Sequence, residues 1–348
     1  MRFTTRRRFM MTGIAAIAGG SAWAPSAAAG GSDQYRVIDQ TPFRGQTRRL
    51  KLAHNDRYVA SLIFSTDYPT HFRLKPELFP VCTPAGLPVT SSHQYCFIHH
   101  QSIMCGHGKV HVEGRDQNVD FFRKLPFPDA DRKDRWHSDF NLFTMGPSGI
   151  QRVTEARWTA GERISIELTL QWETRRMHRE AGDAVLIETR RYVVFQRDES
   201  TVIDQFSQLT AADRPITLLA DRHSLMGVRV HDLIDVEDGG VMIDSEGRVN
   251  PQGDYWDADG DRKAPRWVDC SGPLGDATVG MTLISHPNNL RNQFYVREYG
   301  VMLVSPTLGD SVHLRQGSSL KFAARFVAHD GPLNVQRANQ LQAEFASS

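Results

Sequence analysis

Histidines are concentrated in one short stretch of this 348-residue sequence. Five of the 14 fall within 19 residues: His93, His99, His100, His107 and His111. Because imidazole titrates near neutral pH, such a concentration suits proton transfer, and the neutral ring also suits metal ions. No HExxH or CxxC spacing accompanies these histidines, so the spacing does not indicate zinc. The sequence indicates acid–base chemistry first, with packing histidines and a metal site as alternatives.

Carboxylates, arginines and further histidines elsewhere in the chain could complete such a site. The catalytic candidates are His100, His107, His223, Asp120 and Asp221. The substrate-binding candidates are His99, Arg229, Trp267, His286, Asn289 and Arg297. Buried arginines need an anion or an array of hydroxyl groups for their five donors, which favours a sugar-like ligand. We expect one concave sheet face to gather six of these residues: His100, His107, Asp221, His223, His286 and Arg297.

The aspartates at 257, 259 and 261 alternate as in a calcium-binding loop. The rest of that motif is missing, because Gly260 is misplaced and no glutamate follows at the required distance. We therefore predict a solvated turn here. No cofactor is expected, and no set of metal ligands can be assigned from spacing.

Strand-like segments follow one another along most of the chain. They are residues 58–64, 163–172, 185–197, 201–209, 278–284, 294–304 and 320–327. The period-two alternation in 163–172 is typical of a strand with one buried and one solvated face. Strands at this density, without helices between them, predict an all-β fold: a large antiparallel β-sandwich.

The last residues break this pattern. Ala338, Leu341 and Phe345 recur at steps of three and four, and Gly331-Pro332 precedes them. This spacing predicts a C-terminal helix over residues 333–345, packed on the outside of the sandwich. We expect residues 30–49 to form an irregular arm and residues 50–348 to form a single domain.

The first 29 residues are typical of a twin-arginine signal peptide. Arg6, Arg7 and Arg8 precede a short apolar run, and Ala27-Ala28-Ala29 offers a cleavage site before Gly30. Removing the segment's four arginines from the 41 basic residues leaves 37 against 40 acidic residues, a net charge of −3. We expect a periplasmic or secreted protein, with no nucleic-acid partner and no membrane association after cleavage.

The four cysteines give no disulfide framework. A protein that folds in the reducing cytoplasm before twin-arginine export should not depend on a bridge. We expect buried free thiols at Cys82, Cys96, Cys105 and Cys270. A Cys96–Cys105 bridge is the alternative, because both lie in the histidine-rich stretch.

Several motifs together resemble a bacterial family known as PmoA-like. They are residues 83–90 (TPAGLPVT), 99–102 (HHQS), 106–108 (GHG), 118–122 (NVDFF), 267–273 (WVDCSGP), 286–289 (HPNN) and 297–300 (REYG). The resemblance covers residues 78–331. It implies an exported, galactose-mutarotase-like supersandwich with a sugar site. The family's methane-oxygenase name does not fit, because no membrane-spanning segment follows residue 29.

The chain departs from that family at one position. Many members carry D-x-K-E-G where this sequence has Asp221-Arg222-His223-Ser224-Leu225. The aspartate matches, while His223 and Ser224 replace the lysine and glutamate, so a catalytic role of the family glutamate cannot be transferred.

Three functions are compatible with these residues. The first is a periplasmic carbohydrate-active enzyme that acts on a glycoside by acid–base chemistry, as a glycoside hydrolase, a carbohydrate lyase or an epimerase. The second is a non-catalytic carbohydrate-binding protein. The third is a metal-dependent oxidase that uses the histidine-rich stretch.

Overall fold

Antiparallel strands form most of the chain, as the period-two patterning predicts. The computed structural model describes residues 34–40, 47–66, 75–92, 99–122, 149–174 and 182–348. All of them belong to the unit formed by residues 33–348. The predicted signal peptide, residues 1–29, lies outside the described residues. Among those described, no helix has the length and apolar character needed to cross a membrane.

Twenty strands are numbered here in chain order. They are β1 (Tyr35–Gln40), β2 (Thr47–His54), β3 (Arg57–Ser65), β4 (Glu77–Val81), β5 (Ile103–His107), β6 (Val110–Val112), β7 (Gly149–Ala160), β8 (Ile164–Thr174), β9 (Ala184–Arg197), β10 (Ser200–Ala211), β11 (Ile216–Leu218), β12 (Ser224–Arg229), β13 (Val241–Asp244), β14 (Gly253–Tyr255), β15 (Trp267–Leu274), β16 (Ala277–Ser285), β17 (Gln293–Arg297), β18 (Val301–Ser305), β19 (Val312–Leu314) and β20 (Ser319–Asp330). A 3-10 helix spans Asp232–Ile234, and one α-helix, α1, spans Val335–Phe345.

The strands form three antiparallel sheets. The nine-stranded sheet has the order β1-β2-β3-β4-β5-β12-β18-β17-β14, and the eight-stranded sheet has the order β13-β15-β16-β20-β10-β9-β8-β7. A small third sheet has the order β19-β11-β6. Apolar side chains from both large sheets share one core. The prediction of an all-β antiparallel fold with one C-terminal helix is therefore confirmed.

The alternation in residues 163–172 determines which face of β8 is buried. Ile164, Ile166, Leu168, Leu170 and Trp172 are all buried in the core between the sheets. The residues between them are half-buried or exposed. Burying one face of a strand in this way stabilises the fold by removing apolar area from water, at about 25 cal/mol per Å².

Two predictions about strand positions were wrong. The segment 30–49 is not an irregular arm in its described part, because Tyr35–Gln40 pairs along its whole length with β2. The segment 294–304 is not one strand but a hairpin. Gly300 has a φ of +81°, which favours glycine, and its amide donates to the Arg297 carbonyl, so the chain reverses between β17 and β18.

The C-terminal helix forms where its spacing predicts it. Asn334 caps it, since its side chain accepts a hydrogen bond from the Arg337 amide. Ala338, Leu341 and Phe345 are buried against the outer face of the eight-stranded sheet. The helix therefore covers the side of that sheet opposite the main core.

A buried polar network connects the two large sheets. Arg190 and Glu188 on β9 form an ion pair with both side chains fully buried. Arg190 also donates to the Gln151 amide oxygen, and the Gln151 amide nitrogen donates to the Cys105 carbonyl on β5. This network fixes the distance of β5, a strand of the candidate site, from the eight-stranded sheet.

Three cysteines are buried free thiols: Cys82, Cys105 and Cys270. Burial raises the pKa of the Cys82 thiol to about 11. Because Cys105 is a free thiol, the alternative Cys96–Cys105 bridge was wrong; Cys96 itself lies outside the described residues.

Candidate functional site

Four adjacent strands carry the candidate site on the face that points away from the other large sheet. Their order is β5-β12-β18-β17. On β17, Phe294 and Val296 belong to the main core, so Tyr295 and Arg297 face the opposite side. Phe122 packs with Tyr295 in a separate small apolar cluster on that side.

A glycine on β5 lets a second chain segment lie close over these strands. A Cβ atom on Gly106 would come within 2.6 Å of the Phe121 carbonyl oxygen, so a larger residue would push that segment away. The Phe121 amide donates to the His107 carbonyl at 2.8 Å. The close approach of the second segment at Gly106 thus places the Phe122 ring at the site.

Six rings then meet, and we refer to them as the ring cluster. They are His99, His100, Phe122, His223, Tyr295 and Tyr299. The His223 ring lies 6.1 Å from His99, 5.7 Å from Phe122 and 6.4 Å from Tyr295, between centroids. His223 and His99 therefore each contact three other rings of the cluster.

An aspartate fixes the orientation of the His223 ring. Asp221 Oδ1 lies 3.2 Å from His223 Nδ1 and accepts the backbone N–H of His223 at 3.2 Å. Because a carboxylate oxygen is an acceptor, Nδ1 carries the proton in the neutral ring and Nε2 is left as a proton acceptor. The His223 side chain is 20% exposed, so a ligand can reach it.

A tyrosine pair with an arginine lies beside His223. The hydroxyl groups of Tyr295 and Tyr299 are 3.3 Å apart, and Arg297 Nε donates to the Tyr295 hydroxyl at 3.1 Å. Burial, followed by the hydrogen bond with Tyr295, raises the pKa of Tyr299. Tyr299 therefore keeps its proton at physiological pH, and the pair can hold or supply a proton.

Two buried bases lie beneath the exposed part of the ring cluster. His100 is 2% exposed, and burial, followed by His99 and Arg229, lowers its pKa well below the usual value. His100 is thus neutral and stacks on Tyr299. Lys75 Nζ donates to the carbonyls of His99 and Phe122, and burial lowers its pKa to about 8.

An acidic pocket of about 700 Å³ adjoins the ring cluster. Its lining includes Asp221, Arg222, Asp254, Trp256, Asp257, Gln293 and Asp310. Arg222 connects the two regions, because its guanidinium lies 5.6 Å from the Tyr295 ring and 3.4 Å from Asp254. Trp256 is 37% exposed. Carboxylates beside an exposed indole can bind the hydroxyl groups and the apolar face of a sugar ring.

Other predicted site residues lie below the ring cluster and support it. His107 is fully buried, and its Nε2 lies 3.1 Å from the Thr307 hydroxyl. Asp120 is buried, and its Oδ1 accepts the Phe122 amide at 2.8 Å. Both are placed to hold backbone segments of the site.

Three predicted substrate-binding residues lie elsewhere, so the expectation of one pocket was wrong for His286. The His286 ring packs on Phe345 of α1 at 4.8 Å, and Trp267 Nε1 donates to Asn339 of the same helix. Asn289 bonds both the N–H and the carbonyl of Ala323 on β20. These side chains dock α1 and the loop after β16, on the far side of the eight-stranded sheet.

Several residues of the site were not among the site residues predicted from the sequence. Tyr295 and Tyr299 flank Arg297 in the hairpin, and this YVREY pattern was available in the sequence. Lys75 gave no distinct signal, because an isolated lysine has no periodicity. Trp256 could stack on a sugar ring, but a core position is the commoner one for a tryptophan in a β-sandwich. Asp257, Asp259 and Asp261 are exposed, as the prediction of a solvated turn requires. Within the described residues, no three His, Cys, Asp or Glu side chains are arranged to hold a metal ion.

Comparison with known proteins assigns the sequence to a family. Residues 49–343 match the model described as "Family of unknown function (DUF6807)". No curated protein matches the chain. The family description does not contain the PmoA-like name, which stays a prediction.

Three solved structures are similar at low sequence identity. A candidate aldose 1-epimerase from Klebsiella pneumoniae subsp. pneumoniae MGH 78578 has a TM-score of 0.39 and 10% identity, covering 91% of this chain and 89% of that one. A candidate aldose 1-epimerase from Escherichia coli K12 has a TM-score of 0.29 and 8% identity, covering 86% and 100%. A TPR-domain containing protein from Parabacteroides distasonis ATCC 8503 has 0.33 and 10%, covering 88% and 55%. Because all three TM-scores are low, the fold assignment rests on the strand pairing.

Proposed function

The chain belongs to the family of unknown function DUF6807, and because that description assigns no activity, we propose a function from the geometry of the site. We propose that this protein is a carbohydrate-active enzyme that moves protons by acid–base chemistry. The observation that carries the proposal is the Asp221–His223 pair, whose imidazole lies 6.4 Å from the Tyr295 ring, between centroids.

In this proposal His223 is the base. Asp221 holds the Nδ1 proton, so Nε2 can accept a proton from the substrate, and the carboxylate stabilises the imidazolium that forms. Tyr295 is the acid. Its hydroxyl donates a proton to the substrate, and the neighbouring Arg297 stabilises the phenolate that is left.

The acidic pocket supports a carbohydrate as the ligand. Its carboxylates accept hydrogen bonds from hydroxyl groups, and Trp256 offers a ring face for the apolar side of a sugar. A volume of about 700 Å³ is in the range of ligand sites. Asp221 and Arg222 belong to the lining of this pocket, so a sugar bound there reaches His223.

The type of acid and base favours proton transfer at a carbon atom. Hydrolysis of a glycosidic bond usually employs two facing carboxyl groups. Here the pair is a histidine and a tyrosine. In a lyase step, His223 takes the carbon-bound proton, a C=C bond forms, and the C–O bond breaks as Tyr295 protonates the leaving oxygen. In an epimerase step, the proton returns to the other face of the same carbon. Hydrolysis is the alternative.

We also propose that the enzyme acts outside the inner membrane. The support is the twin-arginine pattern of Arg6-Arg7 before a short apolar run. Replacing both arginines with lysine should retain the uncut precursor in the cytoplasm, as seen by fractionation and immunoblotting. Normal export of the double variant would contradict this part of the proposal.

The test of the activity is a panel of oligosaccharides incubated with the purified protein. Chromatography and mass spectrometry distinguish the three reactions. The fragments from a lyase together have the mass of the substrate, and one of them carries a C=C bond, whereas the fragments from a hydrolase together have gained one water. An epimerase product has the mass of the substrate in H₂O and takes up deuterium in D₂O. His223→Gln and Tyr295→Phe should each lower turnover by about 10²–10⁴-fold.

The matched control is His313→Gln. His313 is an exposed histidine on β19, and its Nδ1 lies 3.1 Å from the Thr217 hydroxyl. This variant should keep the activity of the unchanged protein. Equal turnover in His223→Gln and His313→Gln, with both folded by circular dichroism, would exclude the assigned base.

A further inference from the structure

The ring cluster and the acidic pocket adjoin each other but differ in the charged side chains that lie near them. The pocket is lined by the carboxylates of Asp221, Asp254, Asp257 and Asp310 together with Lys109 and Arg222. The ring cluster instead has Lys75, Arg229 and Arg297 close to its rings. A ligand that occupies both regions meets negative charge at one end and positive charge at the other.

Arg297 is an accessible guanidinium at the tyrosine pair. It is half-buried, its Nε donates to the Tyr295 hydroxyl, and its centre lies 4.7 Å from the Tyr295 ring. Among the described residues, no carboxylate lies within ion-pair distance of it. The two terminal nitrogens are therefore left to bind a group from outside the chain.

Arg229 is the second guanidinium of this region, and it is 2% exposed. Its centre lies 5.3 Å from the Tyr299 ring, whereas Arg297 lies over the Tyr295 ring. One terminal nitrogen is 3.5 Å from Asp232 and 3.6 Å from Asp235. Its Nε and Nη1 have no hydrogen-bond partner in the described part of the chain. Buried donors in this state are unusual and point to a missing acceptor.

We propose that the substrate carries a carboxylate, and that Arg297 and Arg229 bind it at the Tyr295–Tyr299 pair. This inference rests on the proposed function, because it names the sugar class of the same site as an acidic sugar. The planar guanidinium matches a carboxylate in shape and charge. The neighbouring acidic pocket then takes an uncharged sugar unit through its hydroxyl groups. The preferred ligand is an oligosaccharide with a uronic acid next to a neutral unit.

A carboxylate here also agrees with the assigned chemistry. The carbon next to a carboxylate loses its proton more readily when positive charge neutralises that group. The His223 ring lies 6.4 Å, between centroids, from the ring of Tyr295, whose hydroxyl accepts a hydrogen bond from Arg297. His223 would thus lie near the carbon whose proton is made more acidic by the neighbouring carboxylate.

Calorimetric binding of matched ligands tests the inference. Oligomers of galacturonate, glucuronate and mannuronate are each compared with their carboxyl-reduced derivatives, which keep linkage and length. At least one acidic oligomer should bind about tenfold or more tightly than its reduced derivative. Added salt should weaken that binding. Arg297→Gln should remove the preference, whereas Arg297→Lys should keep part of it.

The control is Arg315→Gln, which replaces an exposed arginine on the loop after β19 and should leave binding unchanged. Equal binding of acidic and reduced oligomers, or no binding of any acidic oligomer, would overturn the inference. Tighter binding of a sulfated disaccharide than of any uronate would contradict the assignment of a carboxylate as the group that the arginines bind. Turnover separates the two proposals. If the protein converts carboxyl-reduced oligomers with kinetics that depend on His223, the proposed activity stands and the inference of an acidic sugar is wrong. If the protein binds acidic oligomers selectively but shows no turnover that depends on His223, the inference of an acidic sugar stands and the proposed activity is wrong.

Discussion

Three arginines are buried among the described residues, Arg190, Arg229 and Arg325, and the first two are satisfied to very different degrees. Arg190, between the sheets, donates to both oxygens of Glu188 and to Gln151, and lies 3.4 Å from the Tyr192 hydroxyl. Arg229, beneath the ring cluster, has two nitrogens without a partner among the described residues. Two side chains of the same type therefore have distinct tasks.

The pKa values of the two groups follow the same contrast. Burial alone would lower the pKa of Arg190, but Glu188 more than offsets this, and the pKa is raised well above its usual value. Burial lowers the pKa of Arg229, and Asp232 and Asp235 offset only part of the effect. A complete network stabilises a fold, whereas an incomplete one leaves donors available for a ligand.

The largest effect should come from breaking the complete network. Arg190→Met leaves Glu188 as an uncompensated charge at a fully buried position. The free energy of unfolding should fall by about 3–5 kcal/mol. Chemical denaturation followed by circular dichroism measures the change. A loss below about 1 kcal/mol would show that the network contributes little, and the comparison would fail.

A smaller effect should follow from the pH dependence near Arg229. Burial raises the pKa of Asp235 from 3.8 to about 6. A carboxyl with a raised pKa in the folded state favours folding below its unfolded pKa, and that contribution is lost as pH rises through about 6. From this group alone, unfolding free energy should fall by at most about 2–3 kcal/mol between pH 4 and pH 7.

Asp235→Asn isolates that contribution. The variant should lose this part of the pH dependence, which denaturation curves at several pH values between 4 and 7 would reveal. The matched control is Asp310→Asn, an exposed aspartate, which should keep the slope of the unchanged protein. The same slope in all three proteins would contradict the role of Asp235.

Replacing Arg229 should affect stability less than replacing Arg190. At pH 5, below its pKa of about 6, Asp235 is already mostly protonated, so Arg229→Met strands no charge there. We expect a loss of about 1 kcal/mol or less in unfolding free energy at pH 5. Binding of an acidic oligosaccharide should weaken in the same variant. A stability loss as large as that of Arg190→Met would make Arg229 a structural residue.

The smallest effect on the reaction should come from the far side of the molecule. His286 packs on Phe345, and its backbone N–H donates to the Ala323 carbonyl, away from the ring cluster. His286→Gln should leave turnover within about twofold and change unfolding free energy by about 1–2 kcal/mol. Steady-state kinetics beside a denaturation curve checks both values. A selective loss of turnover would restore His286 to the site.

Local sequence was sufficient to predict some of the elements. Period-two alternation in 163–172 identified β8, because burial of one face of a strand leaves that signature in neighbouring residues. The spacing of Ala338, Leu341 and Phe345 identified α1 for the same reason at helical period. Asp221 and His223 were found as a pair because they are two residues apart, and proximity along the chain guarantees proximity in space.

Only the tertiary structure decided which distant residues meet. His100, His223 and Arg297 come together because β5, β12, β18 and β17 are adjacent in one sheet, an order that no local pattern encodes. His286 looked equivalent in sequence, yet it directly follows β16, a strand of the other sheet, so it packs on α1 instead. Composition and spacing fix what a side chain can do, whereas strand order fixes what it faces, because pairing between strands far apart in sequence depends on the whole chain.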